Sequence, residues 1–180
     1  GLLVDDLLLL ARLDAQRPLE RRRVDLLALA SDAVHDAQSI APRRRITMEV
    51  VDGPGTPEVL GDDARLRQVL GNLVANAVQH TPETAAITVR VGTDGDDAVL
   101  EVADEGPGMT PEDAHRVFER FYRTDSSRAR ASGGTGLGLS IVDSLVYAHG
   151  GRVTVTTAPG QGCCFRVSLP RIADVPAPIG

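Results

Sequence analysis

The sequence predicts an α/β two-layer sandwich, with about three helices packed on one mixed five-stranded sheet. Two observations carry this expectation. Segments with apolar residues at a helical period alternate along the chain with short segments of strand-like alternation. A glycine-rich turn, Gly134-Thr135-Gly136-Leu137-Gly138, also runs straight into the apolar stretch Leu137 to Ala148. That is a loop-to-helix junction whose first backbone N–H groups are free.

The elements follow in order. Leu2 to Ala15 reads as a helix with leucines on more than one face, ended by Pro18. Arg21 to Val24 reads as a charged connector, and Asp25 starts an amphipathic helix reaching Ile40, broken by Ala41-Pro42. Ile46 to Val51 alternates as a strand, and Asp52-Gly53-Pro54-Gly55 is a turn. Asp62 or Asp63 caps the next helix, whose apolar positions Leu66, Val69, Leu70, Leu73, Val74, Ala77 and Val78 hold a helical period up to Thr81-Pro82. Ala86 to Val91 and Ala98 to Asp104, joined at Asp94-Gly95-Asp96, read as paired strands. Ala114 to Tyr122 reads as a short helix. Thr124 to Gly134 is polar and aperiodic, the composition of a mobile lid. After the Leu137 to Ala148 helix come strands Arg152 to Thr157 and Cys163 to Leu169, then a frayed tail.

Composition narrows the function. The chain has 180 residues, enough for one good core plus an appendage, and a net charge of −6 that argues against nucleic acid as a partner. All 19 basic residues are Arg. A P-loop and a eukaryotic-type kinase site both need a Lys on the phosphates, so neither exists here. Neighbouring Cys163 and Cys164 on one strand point to opposite faces, which makes them two ordinary thiols rather than a disulfide or a metal site. The most apolar stretch, Leu7 to Ala11, is far shorter than the roughly 20 residues needed to span a bilayer, and no signal peptide is present. The triplets Arg21 to Arg23 and Arg43 to Arg45 read as solvated faces in an acidic chain.

Four segments describe a nucleotide site. Asn72 and Asn76 lie four apart on one helix and share a face, offering amide oxygens to Mg²⁺ at the edge of a buried surface. Asp104 ends a strand and can accept a hydrogen bond from the exocyclic amine of adenine. Gly106 and Gly108, around Pro107, let the backbone pass close to a flat ligand. Phe118-Glu119-Arg120-Phe121-Tyr122-Arg123 precedes the lid, with both phenylalanines read as core anchors. The turn Gly134, Thr135, Gly136, Leu137, Gly138 presents N–H groups and a helix dipole to phosphates.

Together these segments resemble the N, G1, F and G2 boxes of the catalytic and ATP-binding domain of bacterial sensor histidine kinases, a Bergerat-fold ATP site. The resemblance covers roughly Val24 to Pro170. It implies that Asp104 reads adenine, that Asn76 and Asn72 hold Mg²⁺, and that Arg123 reaches the γ-phosphate of ATP. Gln79-His80 departs from the family's frequent Lys-Tyr, leaving His80 as the ring facing the purine.

Bergerat-fold hydrolases of the gyrase, Hsp90 and MutL type carry a Glu one turn before the metal Asn. Here that position is Asn72, which cannot take a proton. Transfer without a local base suits an acceptor that is already nucleophilic, such as neutral imidazole. The resemblance therefore implies a protein-histidine kinase acting on a histidine upstream. None of His35, His80, His115 and His149 sits in the family's phosphoacceptor pattern. The implied organisation is residues 1–16 as the end of the dimerisation and phosphoacceptor hairpin, 17–24 as linker, 25–170 as catalytic domain and 171–180 as flexible tail. The implied partners are that dimerisation domain and a response regulator receiver domain. The parent is expected to be a homodimeric plasma-membrane sensor with this domain in the cytoplasm, and the isolated fragment a monomer. The alternatives are a Bergerat-fold ATPase and a non-catalytic, nucleotide-dependent module that docks a regulator.

Overall fold

A computed structural model of the protein describes residues 4–9, 19–122 and 137–173. Residues 4–9 are helical; Leu9 is buried in the core while Val4, Leu7 and Leu8 are exposed. The rest of the expected first helix lies outside the described residues.

Strand β1 (Arg22–Asp25) leads into helix α1 (Leu26–Ile40), and Asp25 caps it by accepting from Leu27 N at 2.9 Å and Ala28 N at 3.4 Å. The expected connector at Arg21 to Val24 is thus mostly strand. β1 pairs antiparallel with β3 (Glu58–Gly61) in a small second sheet, clamped by an Arg23–Glu58 ion pair at 2.7 Å. Asp62 caps helix α2 (Asp63–His80), accepting from Arg65 N at 3.3 Å. Arg67 ties α2 to α1 through Asp32 at 2.8 Å.

The main sheet has five strands: β2 (Ile46–Val51), β4 (Ile87–Asp94), β5 (Asp97–Asp104), β6 (Arg152–Thr157) and β7 (Cys163–Pro170). Their order is β2-β4-β5-β7-β6, with β2 parallel to β4 and every other pair antiparallel. Ile87, Val89 and Val91 of β4, Leu100 and Val102 of β5, and Phe165, Val167 and Leu169 of β7 form one face. They share a single core with α1, α2 and helix α4 (Gly138–Ala148). A row of alternating charge crosses the sheet in register: Glu49 opposite Arg90, Arg90 opposite Glu101, Glu101 opposite Arg166. Opposite charges directly across strands stabilise the pairing.

Between β5 and α4 lies the short helix α3 (Pro111–Arg116), which begins and ends earlier than the expected Ala114 to Tyr122. Thr110 caps it by accepting from Asp113 N at 3.2 Å, and Pro111 occupies its first turn, where a missing N–H is harmless. Phe121 ends the segment with φ of 65°, a left-handed conformation incompatible with a continued helix. Arg171 and Ile172, expected in the frayed tail, are tied to the domain. Arg171 N donates to Asp96 O at 2.9 Å and Ile172 N to Glu58 O at 2.8 Å.

His149 joins two helices at the far end of the domain. Its Nε2 accepts from Asp62 N at 3.1 Å and its Nδ1 lies 2.7 Å from Leu145 O, so the buried ring bridges the end of α4 to the cap of α2.

Candidate active site

Asp104 stands at the C-terminal end of β5, half-buried. Its Oδ1 accepts from Gly106 N at 2.9 Å and from Cys163 N at 3.3 Å, the first closing a tight side-chain turn. Both bonds fall on Oδ1, and Oδ2 has no hydrogen-bond partner among the described residues. Burial pushes the carboxyl above its ordinary range. The N–H groups of Gly106 and Cys163 and the positive charges of His80 and Arg44 pull it back.

The glycines after Asp104 pack closely against protein. A Cβ on Gly106 would sit 2.5 Å from Thr81 Cγ2, and one on Gly108 would sit 2.0 Å from Ala158 O. Gly108 also has φ of 71°. The turn is therefore pressed between the end of α2 and the β6–β7 loop. Thr157 braces it: Met109 N donates to Thr157 Oγ1 at 3.0 Å, and that hydroxyl donates to Gly162 O at 2.6 Å. We expect Gly108→Ala to destabilise the fold by about 1–3 kcal/mol, from an unfavourable φ and a forced shift of the turn. A wild-type denaturation midpoint would contradict this.

Helix α2 supplies Asn72, Asn76 and, as its last residue, His80. Asn72 Nδ2 donates to Gly138 O at 3.2 Å, so this amide links α2 directly to the start of α4. Among the described residues nothing hydrogen-bonds the Asn76 side chain, and this residue is partly exposed one turn further along. Leu137 is fully buried and fixes the start of α4; Ser140 Oγ donates back to its carbonyl at 2.9 Å. A Cβ on Gly138 would meet no described residue within 4 Å. Arg123, Gly134, Thr135 and Gly136, with the expected lid, lie outside the described residues. The structure thus joins Asn72 to Gly138 and places His80 and the Gly106 turn around Asp104.

Three of the surrounding residues correct or extend the sequence reading. Phe118 anchors the segment as expected, meeting Phe165 edge-on at 6.1 Å. Phe121 does not; it is 56% exposed. Arg44, expected on a solvated face, is buried. It donates from Nη1 to Thr81 O at 3.2 Å and Pro82 O at 2.8 Å, and from Nη2 to Thr81 Oγ1. Thr81, which no motif singled out, thereby becomes the joint between α2 and the Asp104 turn. Its position just after a periodic helix and before Pro82 was the only available signal.

The cysteines do point to opposite faces. Cys163 lies against Thr157 and the core, while Cys164 Sγ donates to Glu101 Oε2 at 3.1 Å beside the charge row. Burial, then the hydrogen bond and charge of Glu101, push the Cys164 thiol up to about 12. At pH 8 only about one in ten thousand such thiols is ionised, against roughly a quarter of free cysteine. Alkylation of Cys164 at that pH should therefore be slow until denaturant is added. Labelling of the native protein at the rate of free cysteine would refute this.

Residues 61–173, which carry Asn72, Asn76, His80, the Asp104 turn and the start of α4, match the family described as histidine kinase-, DNA gyrase B-, and HSP90-like ATPase. The chain belongs to that family. Within this ATPase family its resemblance to sensor histidine kinases is direct. It is 49% identical over 169 residues to the probable sensor histidine kinase TcrY of Mycobacterium tuberculosis, covering 93% of this chain and 35% of that protein. Its fold overlays the mycobacterial sensor histidine kinase MprB with a TM-score of 0.73 at 30% identity, over 84% of this chain and all of that one (100%). It also overlays full-length ShkA, determined in complex with AMPPNP, with a TM-score of 0.79 at 36% identity, over 97% of this chain and 36% of that one. The chain spans about a third of the length of the curated relatives it matches. Its architecture is that of the ATP-binding catalytic domain of sensor histidine kinases. Among the described residues no helix is long and apolar enough to cross a membrane.

Proposed function

We propose that this domain binds Mg²⁺-ATP and transfers the γ-phosphoryl group to a histidine on an upstream dimerisation domain, for relay to an Asp of a response regulator receiver domain. The observation that carries the reading is the Asp104 carboxylate. One of its oxygens is engaged by the fold and the other is left for a donor such as the adenine amine. His80 is the ring at the same wall, suited to stack on the purine. The AMPPNP held by ShkA supports the same ligand class here.

The donor set suits magnesium. Among the described residues no three His, Cys, Asp or Glu side chains gather into an all-protein metal cage. Mg²⁺ typically uses one or two side-chain oxygens together with phosphates and waters, and Asn76 offers such an oxygen. When bound, the ion would neutralise phosphate charge. Asn72 can add an oxygen or, through its bond to Gly138, hold the phosphate-facing helix entrance in line with Asn76. The first N–H groups of α4 face the phosphates, joined by the turn Gly134, Thr135, Gly136, and Arg123 is assigned to the γ-phosphate. The parent protein in this reading is a membrane-anchored homodimer. Residues 1–16 end its dimerisation hairpin, 17–21 link it, and the catalytic domain runs from β1 at Arg22 to the hydrogen-bonded Ile172. The isolated chain is a monomer.

Asn72 provides no carboxylate to activate water, so positioning of an external nucleophile must supply the rate. We expect the chain alone with Mg²⁺-ATP neither to label itself nor to release phosphate at an appreciable rate. Adding a separately made upstream helical hairpin should yield slow, acid-labile labelling of the hairpin only. Steady phosphate release by the chain alone, abolished by Asn76→Ala, would instead identify an ATPase.

A further inference from the structure

Arg44 is one of few buried charged groups among the described residues, and it is 9% exposed. No carboxylate among the described residues lies within ion-pair distance of it, and its Nε is buried without a partner. An Arg placed only for stability would be poorly used this way, because an unpaired buried cation is a weak source of stability. Its contacts run in one direction, toward the nucleotide site. Nη1 bonds the carbonyls of Thr81 and Pro82, and Nη2 bonds the Thr81 hydroxyl. That hydroxyl donates to Ala77 O at 2.6 Å, closing the last turn of α2. The Thr81 methyl then abuts Gly106 so tightly that a Cβ there would be 2.5 Å away. Gly106 N donates to Asp104 Oδ1 at 2.9 Å.

We propose that Arg44 is a positioning residue for base recognition. From behind the pocket it clamps the end of α2 against the turn that aims Asp104. Two effects follow from one guanidinium. Its fork fixes the Thr81 wall, and with it His80 one residue earlier. Its charge also lowers the half-buried Asp104 carboxyl, which has no ion pair among the described residues. The groups felt by Asp104 are His80 from α2, Arg44 from the segment before β2, and the N–H groups of Gly106 and Cys163; the Cys163 thiol lies beside it on β7. Burial raises the Asp104 carboxyl, while both N–H groups and both cations lower it. Removing Arg44 should let it rise, so that base binding fails at a higher pH. Lys would keep the charge but lose the fork that reaches the Thr81 and Pro82 carbonyls through Nη1 and the Thr81 hydroxyl through Nη2.

The inference rests on Asp104 as the base reader, and the test separates the two. ATP affinity is measured by calorimetry from about pH 5 to about pH 9, across the carboxylate and imidazole titrations. The proteins are wild type, Arg44→Gln, Arg44→Lys and Asp104→Asn, and thermal melts accompany each. The phosphates of ATP titrate alike in every variant, and a His80→Gln background removes the imidazole. Arg44→Gln should bind about 10-fold more weakly at neutral pH. Its acid limb should lie at higher pH than that of wild type. Arg44→Lys should keep the wild-type acid limb with a lower plateau. Equal weakening by both variants at every pH, tracking a fall in melting temperature, would make Arg44 purely structural and overturn the proposal. Should Arg44→Gln fail to fold, Arg44→Lys decides. A lowered plateau at wild-type melting temperature supports the clamp, and an unchanged plateau overturns it. Undiminished ATP binding by Asp104→Asn would remove the base-reader assignment itself.

Discussion

Replacing Asp104 by Asn is expected to weaken ATP binding strongly while leaving the nucleotide-free domain no less stable. A hydrogen bond from the adenine amine to a carboxylate is charge-assisted, worth about 1.5–3 kcal/mol. Its loss corresponds to roughly a 10- to 100-fold rise in Kd. The fold has little use for the charge. Asn keeps an oxygen that can accept from Gly106 N and Cys163 N, and it needs no desolvation of an ion. Because burial holds the folded carboxyl above the ordinary aspartate range, the stability it contributes is present below that range and lost as pH rises through the folded value. Near neutrality the ionised group therefore weighs against the fold. The melting temperature of Asp104→Asn should equal or exceed that of wild type at pH 7, with the difference narrowing in acid. A variant that melts early and binds ATP normally would reverse both assignments, making Asp104 a structural turn and nothing more.

Leu73→Ala should unfold more of the population than any change within the site. Leu73 is fully buried, on the turn of α2 between Asn72 and Asn76. Truncating such a leucine removes transfer energy and leaves a cavity, together about 2–5 kcal/mol. Against a domain stability of about 5–15 kcal/mol this is a large fraction. The same residue holds the helix that carries both amides, so Mg²⁺-ATP should bind the surviving folded molecules less well. Nucleotide in excess should still raise the midpoint, since binding to the folded state alone stabilises it by mass action. Urea titration with and without nucleotide measures both effects. A midpoint within error of wild type would show that the core around α2 repacks without loss.

The long elements were legible because each has a period and a boundary signal. α1, α2 and α4 carry apolar residues at helical spacing, and Asp25, Asp62 and the turn before Gly138 mark their starts. The five-stranded sheet was legible from alternation, and Asp104 and Asn72 stood out as polar residues at the ends or edges of apolar runs. The β1–β3 pair was not legible. Arg22-Arg23-Val24-Asp25 offers a single apolar residue, Val24, among charges, and its partner lies 35 residues away across the Arg23–Glu58 pair. α3 was misplaced although Thr110-Pro111 is a strong start signal, because the phenylalanines at 118 and 121 suggested a helix face. Phe121 instead turns outward at positive φ. Arg44 was unreadable in principle. Three successive arginines look alike in sequence, and only the approach of Thr81 and Pro82 distinguishes the middle one.

The strand order also dictates a timetable for assembly. β4 and β5 form a hairpin whose pairing is local, so Asp104 can reach its place in the sheet early. The N–H that completes its environment belongs to Cys163, 59 residues further along, on a strand that inserts between β5 and β6. Pairings across such separations close late, because the loop must be ordered before any contact rewards it. A chain still emerging from the ribosome with β5 made and β7 unmade has the carboxylate without its setting. On the proposed role of Asp104, nucleotide therefore cannot act as a template for the early steps of folding. It can only trap the molecule once the final strands have docked, so that ATP in the cell serves as a late seal on a finished domain.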